Sequence, residues 1–343
     1  MRRPVNPAKR AAPIVINSKT AFLGTFKPRQ QRLFHAFTEF EASNGLLQRG
    51  GLKLGRTSLA RIGRKWRVGE RSAENWRYYG RKPKSVHSVR EAADRGWLNL
   101  TQRDALFRVF NELSGYVYYS GSFSGVNAPQ TLFSLSRPLA KRRVLPLLAK
   151  LGLTQRNGKV RVERANNPRE YTAVYVNDAV FARCLAAMGV PRGKAAAHAA
   201  TRSAVLPHVA ALASTAKGRR SANAVLVRDY ASALFDSRAR VNYFSRAPVL
   251  EVRMPLVRTM NARAAAGYAL PLKLVLDALG GVGGGKSAGF SIVTYKGPKK
   301  SGLKRVRNRW LAPTLELKGV DLARFAAAER RLFELAPKQF RKS

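Results

Sequence analysis

The chain has 343 residues, of which 64 are Lys or Arg and 19 are Asp or Glu, so its formal net charge is +45 at pH 7. Because 45% of the residues are hydrophobic, the composition excludes a wholly disordered basic tail and predicts folded domains. A charge excess of this size repels itself unless a polyanion neutralises it, so we expect a nucleic-acid partner.

Cysteine and histidine usage argues against metal and redox chemistry. Cys184 is the single cysteine, which excludes an intramolecular disulfide framework and a zinc finger. Its apolar neighbours in "VFARCLAAMG" favour a small buried side chain over a reactive thiol. The four histidines show no metal-ligand spacing, so we predict no metal and no cofactor.

The beginning of the chain is basic and lacks acids. Eight Lys or Arg residues precede the first acidic residue, Glu39, and this pattern is typical of a mitochondrial targeting segment. The alternative is a basic arm that enters folded RNA. We predict a ribosome-associated protein of the mitochondrial matrix. The longest charge-free stretch, residues 113–136, is rich in polar residues, so we expect no membrane insertion.

Residues 1–100 form a basic N-terminal extension with little periodicity. Within it, residues 61–90 carry ten basic side chains interleaved with two tryptophans and two tyrosines. Arginines neutralise phosphates while aromatic rings stack on unpaired bases, which suits single-stranded or irregular RNA. An aromatic cluster that anchors the extension to the main body explains the pattern equally well. The candidate RNA-binding residues here are Arg61, Arg64, Lys65, Trp66, Arg67, Arg77, Tyr78, Arg81, Lys82 and Lys84.

Residues 101–190 predict a unit of helix, hairpin, helix, hairpin and helix. Thr101 and Asp104 resemble a capping box, and apolar residues recur at helical spacing as far as Val117. Two extended stretches follow, then an amphipathic helix that bends or restarts at Pro146. A second hairpin and the helix around "DAVFARCLAAMG" complete the unit.

The same order of elements is predicted a second time. A basic, Ala-rich linker covers residues 191–222, and residues 223–343 again predict helix, hairpin, helix, two strands and a closing C-terminal helix. The letters of the two halves hardly match, but the order of elements indicates an internal structural repeat.

A short motif stands at the end of the first helix in each half. Leu113 to Phe123 reads "LSGYVYYSGSF" and Ala231 to Val241 reads "ASALFDSRARV", with equivalent positions 118 residues apart (238 − 120). The first copy resembles the motif L-A-G-L-I-D-A-D-G-S-F of the LAGLIDADG homing endonuclease and maturase family. Its direct matches are Leu113, Gly115, Gly121, Ser122 and Phe123.

The resemblance implies an α+β fold of two pseudo-symmetric αββαββα units that form a saddle on nucleic acid. Their motif helices pack closely only where side chains are short. The residues expected at this helix–helix contact are Ser114, Gly115, Ser232 and Ala233.

The family's catalytic acids are replaced in both copies of the motif. Active relatives place a metal-binding carboxylate at the eighth motif position, where this chain has Ser120 and Arg238. The resemblance gives Asp236 a structural role. We therefore predict a pseudoenzyme without catalytic residues. An active DNA endonuclease would require a substitute acid pair, for which only Glu112 and Asp236 lie near the helix ends.

Two basic loops complete the set of candidate residues. The letters "GGVGGGKS", residues 280–287, match a P-loop, but a helical pattern precedes them and a strand pattern follows, so we predict no NTP binding. Residues 295–310 form a basic loop that suits phosphate contacts. The candidates in these loops are Lys286, Lys299, Lys300, Lys304, Arg305 and Arg307.

The sequence thus predicts a non-catalytic, RNA-binding structural protein. Charge on every segment and a degenerate nuclease motif favour an rRNA-binding component of a mitochondrial ribosome, in contact with neighbouring ribosomal proteins. A group I intron maturase or splicing factor is the alternative, and an active DNA homing endonuclease is the third hypothesis. Charge alone does not separate RNA from DNA.

Overall fold

The chain is a mixed α+β structure with small antiparallel sheets, which confirms the predicted class at that level. Among the described residues, no helix is both long and apolar enough to cross a membrane. The computed structural model describes residues 12–49, 56–124, 129–164, 171–191, 193–194, 203–216, 220–242, 249–253, 257–258, 262–280, 291–296 and 310–318.

The N-terminal region is helical, whereas the sequence predicted an extension with little periodicity. A sequence signal was present: Phe34, Phe37 and Phe40 are spaced three residues apart, and all three are buried. A two-stranded ribbon, β1 with β2, joins the two ends of this region. Its elements are β1 Val15–Ile16, α1 Lys19–Gly24, α2 Pro28–Arg49, α3 Arg56–Trp66, α4 Glu70–Tyr79, α5 Lys84–Asp94 and β2 Leu100–Thr101.

The start of the next helix differs from the predicted capping box. The Asp104 carboxylate accepts hydrogen bonds from the Thr101 backbone N–H at 2.7 Å and from its hydroxyl at 2.9 Å. A capping box has two reciprocal hydrogen bonds between side chain and backbone, and the bond from the Thr101 N–H is one of them. However, Asp104 itself is the N-cap and the helix begins at Ala105. The turn therefore precedes the helix and does not form its first turn.

The first unit follows the predicted order of elements. Its strands lie in the sheet order β5-β6-β4-β3-β7. The predicted bend at Pro146 is a π-helical turn, Ala140–Val144, directly before it. The unit contains α6 Ala105–Ser120, β3 Gly121–Ser124, β4 Gln130–Ser136, α7 Arg137–Leu139, α8 Leu145–Lys150, β5 Val160–Arg164, β6 Tyr171–Val176, α9 Ala179–Ala187 and β7 Gly193–Lys194.

The second half has the same strand order. Its four long strands lie side by side in the order β11-β12-β9-β8, which corresponds to β5-β6-β4-β3 in the first sheet. The short β10 also pairs with β12. The predicted closing helix falls outside the described residues. The elements are α10 Pro207–Thr215, α11 Ala222–Arg238, β8 Ala239–Asn242, β9 Val249–Arg253, β10 Val257–Arg258, α12 Ala262–Gly280, β11 Ser291–Lys296 and β12 Trp310–Lys318.

Buried charged side chains attach the N-terminal helices to α9. The Arg183 guanidinium donates to the Thr25 carbonyl oxygen at 3.1 Å and lies 3.7 Å from the centre of the Phe26 ring. Arg95 donates to the buried Asp178 carboxylate at 2.8 Å. The same carboxylate caps α9 by accepting from the backbone N–H of Phe181. The N-terminal helices are therefore part of one packed body with the first unit.

Candidate nucleic-acid interface and paired-helix junction

Helices α6 and α11 lie side by side and run in the same direction. Near their beginnings, the Asn111 amide donates to the Leu226 carbonyl oxygen at 2.7 Å. Near their ends, the Tyr116 hydroxyl donates to the Asp236 carboxylate at 2.7 Å. Early residues meet early residues and late residues meet late ones, as parallel helices require. We call this contact the paired-helix junction.

Short side chains allow the two backbones to approach closely at the junction. A Cβ atom on Gly115 would lie 2.9 Å from the Ala233 Cβ and 2.9 Å from the Tyr230 carbonyl oxygen. Ser114 and Ser232 are buried, and each hydroxyl donates at 2.7 Å to the carbonyl oxygen three residues earlier in its own helix. Both hydroxyls are therefore satisfied within their own helices, so the contact needs no polar partner there.

The two positions at which the resemblance expects catalytic acids terminate both helices. Ser120 is the last residue of α6 and is half-buried, and Arg238 is the last residue of α11. The next residue, Gly121, passes so close to β4 that a Cβ atom would lie 2.5 Å from the Leu132 carbonyl oxygen. The motif glycine is thus required by the close passage of the neighbouring strand.

Two carboxylates near the junction, Glu112 and Asp229, are buried, and Asp236 is half-buried. Burial, and next the negative charge of Asp229, raises the pKa of the Glu112 carboxyl to about 7. Burial raises the pKa of Asp236 to about 6, although the hydrogen bond from Tyr116 acts in the opposite direction. Asp229 accepts two hydrogen bonds from the Arg108 guanidinium, at 2.6 and 3.1 Å. Within the described residues, no group of three or more His, Cys, Asp or Glu side chains is placed to hold a metal ion.

Residues of the predicted linker complete the junction. The Tyr119 hydroxyl donates to the Ala204 carbonyl oxygen at 2.9 Å, and the Tyr118 hydroxyl donates to that of Ser203 at 2.7 Å. His208 Nε2 lies 3.0 Å from the Asn111 amide oxygen, and burial lowers the pKa of this imidazole to about 3. His208 is therefore neutral. The sequence analysis missed these roles because alanine-rich composition gave no periodic signal.

A pair of exposed tyrosines ends helix α4. Tyr78 and Tyr79 are 59% and 70% exposed. The Arg77 guanidinium lies 5.3 Å from the centre of the Tyr78 ring, and that of Arg81 lies 5.7 Å from the Tyr79 ring. Gly80 follows Tyr79 and ends the helix with a φ of 60°, a left-handed conformation that favours glycine. We call residues 77–84 the tyrosine platform.

The two tryptophans of the same segment point inward. The Trp66 ring stacks on His35 with centroids 5.0 Å apart, and its indole N–H donates to the Glu39 carboxylate at 2.6 Å. Trp76 is buried against Phe37 and Phe40. The anchoring cluster predicted as one alternative therefore describes the tryptophans. The tyrosines face solvent, as the base-stacking alternative requires.

Most cations of the segment that contains the platform have no acidic partner among the described residues. Lys65 pairs with Glu39 at 2.9 Å. Arg90 pairs with Glu41. Within the described chain, no acidic side chain forms an ion pair with the other eight basic residues of this segment. Arg71 and Tyr79 belong to this surface but were absent from the sequence-based candidates. The unpaired cations are Arg61, Arg64, Arg67, Arg71, Arg77, Arg81, Lys82 and Lys84, all exposed except the half-buried Arg77.

The remaining predicted cations cannot be placed. The structure does confirm the order of elements around the P-loop-like letters, because α12 precedes them and β11 follows. That order is opposite to the one that a phosphate-binding P-loop requires. Lys286, Lys299, Lys300, Lys304, Arg305 and Arg307 lie outside the described residues.

No family model and no curated protein matches this chain.

Proposed function

We propose that this chain is a non-catalytic, RNA-binding structural protein and that it serves as an rRNA-binding component of a mitochondrial ribosome. The observation that carries the proposal is the tyrosine platform, where exposed rings and unpaired cations occur together. Aromatic faces accept any unpaired base, and the cations neutralise phosphates without reading sequence.

The proposal includes two LAGLIDADG-type units related by pseudo-symmetry. Ser114 donates a hydrogen bond to the Asn111 carbonyl oxygen, and Ser232 donates one to that of Asp229. The two serines are 118 residues apart (232 − 114), the same separation as the two copies of the motif. Gly115 and Ala233, which meet at the junction, are also 118 residues apart. Identical strand order in the two sheets supports the same relationship.

The proposed absence of catalysis is supported by the junction chemistry. A serine hydroxyl is a weak ligand for Mg²⁺, and a guanidinium repels the ion, so Ser120 and Arg238 are poor substitutes for two carboxylates. Glu112 and Asp236, the substitute pair that an endonuclease would need, are buried within the protein or hydrogen-bonded to it.

The ribosomal part of the proposal is supported by the distribution of charge. Residues 1–100 carry 22 basic and 6 acidic side chains, a net charge of +16, and the remaining residues carry +29 of the total of +45. Charge on every segment suits a protein that contacts RNA on several sides. A protein that binds one membrane surface usually concentrates its basic residues in one segment.

Sedimentation of a mitochondrial lysate through a sucrose gradient tests this proposal. We expect the protein to migrate stoichiometrically with one ribosomal subunit and to remain there at high salt. Migration near the top of the gradient would contradict the ribosomal role. Release with a small intron-containing particle would favour a maturase. Metal-dependent cleavage of duplex DNA by the purified chain would overturn the non-catalytic assignment.

A further inference from the structure

We infer that unpaired RNA bases stack on Tyr78 and Tyr79 of the tyrosine platform. This inference rests on the proposed RNA-binding function and assigns the surface that performs it. It differs from the mode implied by the family resemblance, in which the sheets form the nucleic-acid saddle.

The outer face of the first sheet offers little charge to a phosphate backbone. Across β3, β4, β6 and β5, one row of paired residues reads Ser122, Leu132, Tyr175 and Arg161. The Arg161 guanidinium lies 4.9 Å from the centre of the Tyr175 ring and forms an ion pair of 3.0 Å with Glu163. The cation of this row in these four strands is therefore already engaged within the sheet, and Lys194 on β7 extends the same row beside Ser122.

The equivalent row of the second sheet contains carboxylates. Glu251 on β9 and Glu316 on β12 are directly opposite each other, and they are 4% and 5% exposed. Their strand neighbours Leu250 and Leu317 are fully buried in the core. Because successive side chains of a strand point to opposite faces, both glutamates project from the other side of the sheet. Arg240 on β8 is directly opposite Glu251 in the same row, so this row carries both signs of charge.

The tyrosine platform has the properties that the sheet rows lack. Its two rings are exposed, and neither hydroxyl forms a hydrogen bond within the described part of the chain. Arg81, Lys82 and Lys84 follow the rings closely, are exposed, and have no acidic partner among the residues that the structure describes. Bases of a regular duplex are already stacked on each other, so free ring faces select unpaired bases of a loop, bulge or single strand.

Fluorescence anisotropy with the full-length chain tests the inference. The probes are an unstructured RNA of about 20 nucleotides and a blunt RNA duplex of about the same length, both of which exceed the site size of a single binding module. We expect the double variant Tyr78→Ala, Tyr79→Ala to lose about tenfold or more in affinity for the single strand, because stacking on each base is lost. Its affinity for the duplex should change less than about twofold.

Matched variants separate stacking, charge and fold. The double variant Tyr78→Phe, Tyr79→Phe keeps the rings and should retain the affinity for the single strand. The triple variant Arg81→Gln, Lys82→Gln, Lys84→Gln should reduce the slope of log affinity against log salt by about 0.7 for each phosphate that the variant no longer neutralises. The sheet variants Tyr175→Ala and Arg161→Gln are the controls and should each change affinity less than about twofold.

Two outcomes would overturn the inference, and they are distinguishable. If the sheet variants lose affinity while the platform variants bind normally, RNA lies on the saddle and the proposed RNA-binding function still stands. If the unaltered chain binds neither probe, the proposed function itself fails. Unchanged thermal unfolding of the platform variants, expected for exposed residues, excludes misfolding as the cause of a lost affinity.

Discussion

Tyrosines stand side by side in two regions of this molecule, and their surroundings are opposite. At the paired-helix junction, Tyr116, Tyr118 and Tyr119 are buried, and each hydroxyl donates a hydrogen bond to another part of the protein. On the tyrosine platform, Tyr78 and Tyr79 are exposed beside arginines. The residue type is the same, but the buried hydroxyls have hydrogen-bond acceptors in the protein, and the exposed ones have none among the described residues.

This difference separates residues that hold the fold from residues that are free to bind a ligand. A buried hydroxyl with a protein acceptor stabilises the folded state, and an exposed ring beside unpaired cations contributes little to it. Stability and RNA affinity should therefore respond to different substitutions, and we expect four results for stability.

The largest contrast is between two tyrosine truncations. Tyr119→Ala should lower the free energy of unfolding by about 4 kcal/mol, because it leaves a cavity and removes the donor to Ala204. Tyr79→Ala should change it by less than about 0.5 kcal/mol. Chemical denaturation of both full-length variants measures the difference, and equal losses would contradict the comparison.

Two helical glycines give the next contrast. Gly115→Ala should destabilise the protein by about 2–3 kcal/mol, because the added methyl group would lie 2.9 Å from the facing helix. Gly267→Ala, in the exposed part of α12 with no atom within 4 Å of its Cβ position, should stabilise by about 0.5–1 kcal/mol. Thermal unfolding should therefore show shifts of opposite sign. A stabilising Gly115→Ala would refute close packing at the junction.

Glu112→Gln should have an effect that depends on pH. The pKa of Glu112 is raised from an ordinary value of 4.5 to about 7, so the folded state holds more protons than the unfolded state between these values. The contribution of Glu112 to stability is therefore full below about pH 4.5 and is lost as pH rises towards 7. Relative to the natural chain, the variant should gain about 3 kcal/mol between pH 4.5 and 8.

Denaturation curves of both proteins across that pH range measure this gain. The exposed Glu74→Gln serves as the control, since removal of an exposed carboxylate should give a nearly pH-independent difference. A flat difference for Glu112→Gln would mean that the carboxyl remains solvated in the folded protein.

The smallest effect is expected for Tyr116→Phe. The substitution removes the hydrogen bond of 2.7 Å to Asp236 and should cost about 1 kcal/mol. Because that bond holds down a pKa that burial has raised to about 6, loss of the hydroxyl should raise the pKa of Asp236 further. Carboxyl titration by NMR measures the shift, and an unchanged titration of Asp236 would show that the hydrogen bond does not form in solution.

Local patterns were sufficient for much of the two units. Alternating apolar residues predicted the hairpin of β5 and β6, and helical periodicity predicted α6 and α9, although α6 begins at Ala105 and not at the predicted cap, Thr101. The N-terminal helices were missed because their many surface cations dilute the apolar spacing, although the phenylalanines of α2 carried it. The helix in the predicted linker was missed because its alanines occupy exposed as well as partly buried positions, so its apolar residues show no clear helical spacing.

The candidate surface was only partly predictable, for a physical reason. Sequence places Trp66, Trp76, Tyr78 and Tyr79 in one basic segment, but it does not tell which rings turn inward. That choice depends on contacts with distant residues, such as Glu39 for the Trp66 indole and Phe37 for Trp76. The close approach of Gly115 to Ala233 was expected from their short side chains. The acceptors of the nearby tyrosine hydroxyls could not be predicted, because they are backbone carbonyl oxygens in a segment without a motif.

Those acceptors have a consequence for the order of events during synthesis. The ribosome makes α6 about 80 residues before Ser203 and Ala204, so the hydroxyls of Tyr118 and Tyr119 have no acceptors when the first unit emerges. The hydrogen-bond partners of the Asn111 side chain, His208 and the Leu226 carbonyl oxygen, are also synthesised later than α6. Helix α6 therefore keeps an aromatic, polar side open until the second unit is made, and a nascent chain stalled near residue 194 is a natural substrate for chaperones.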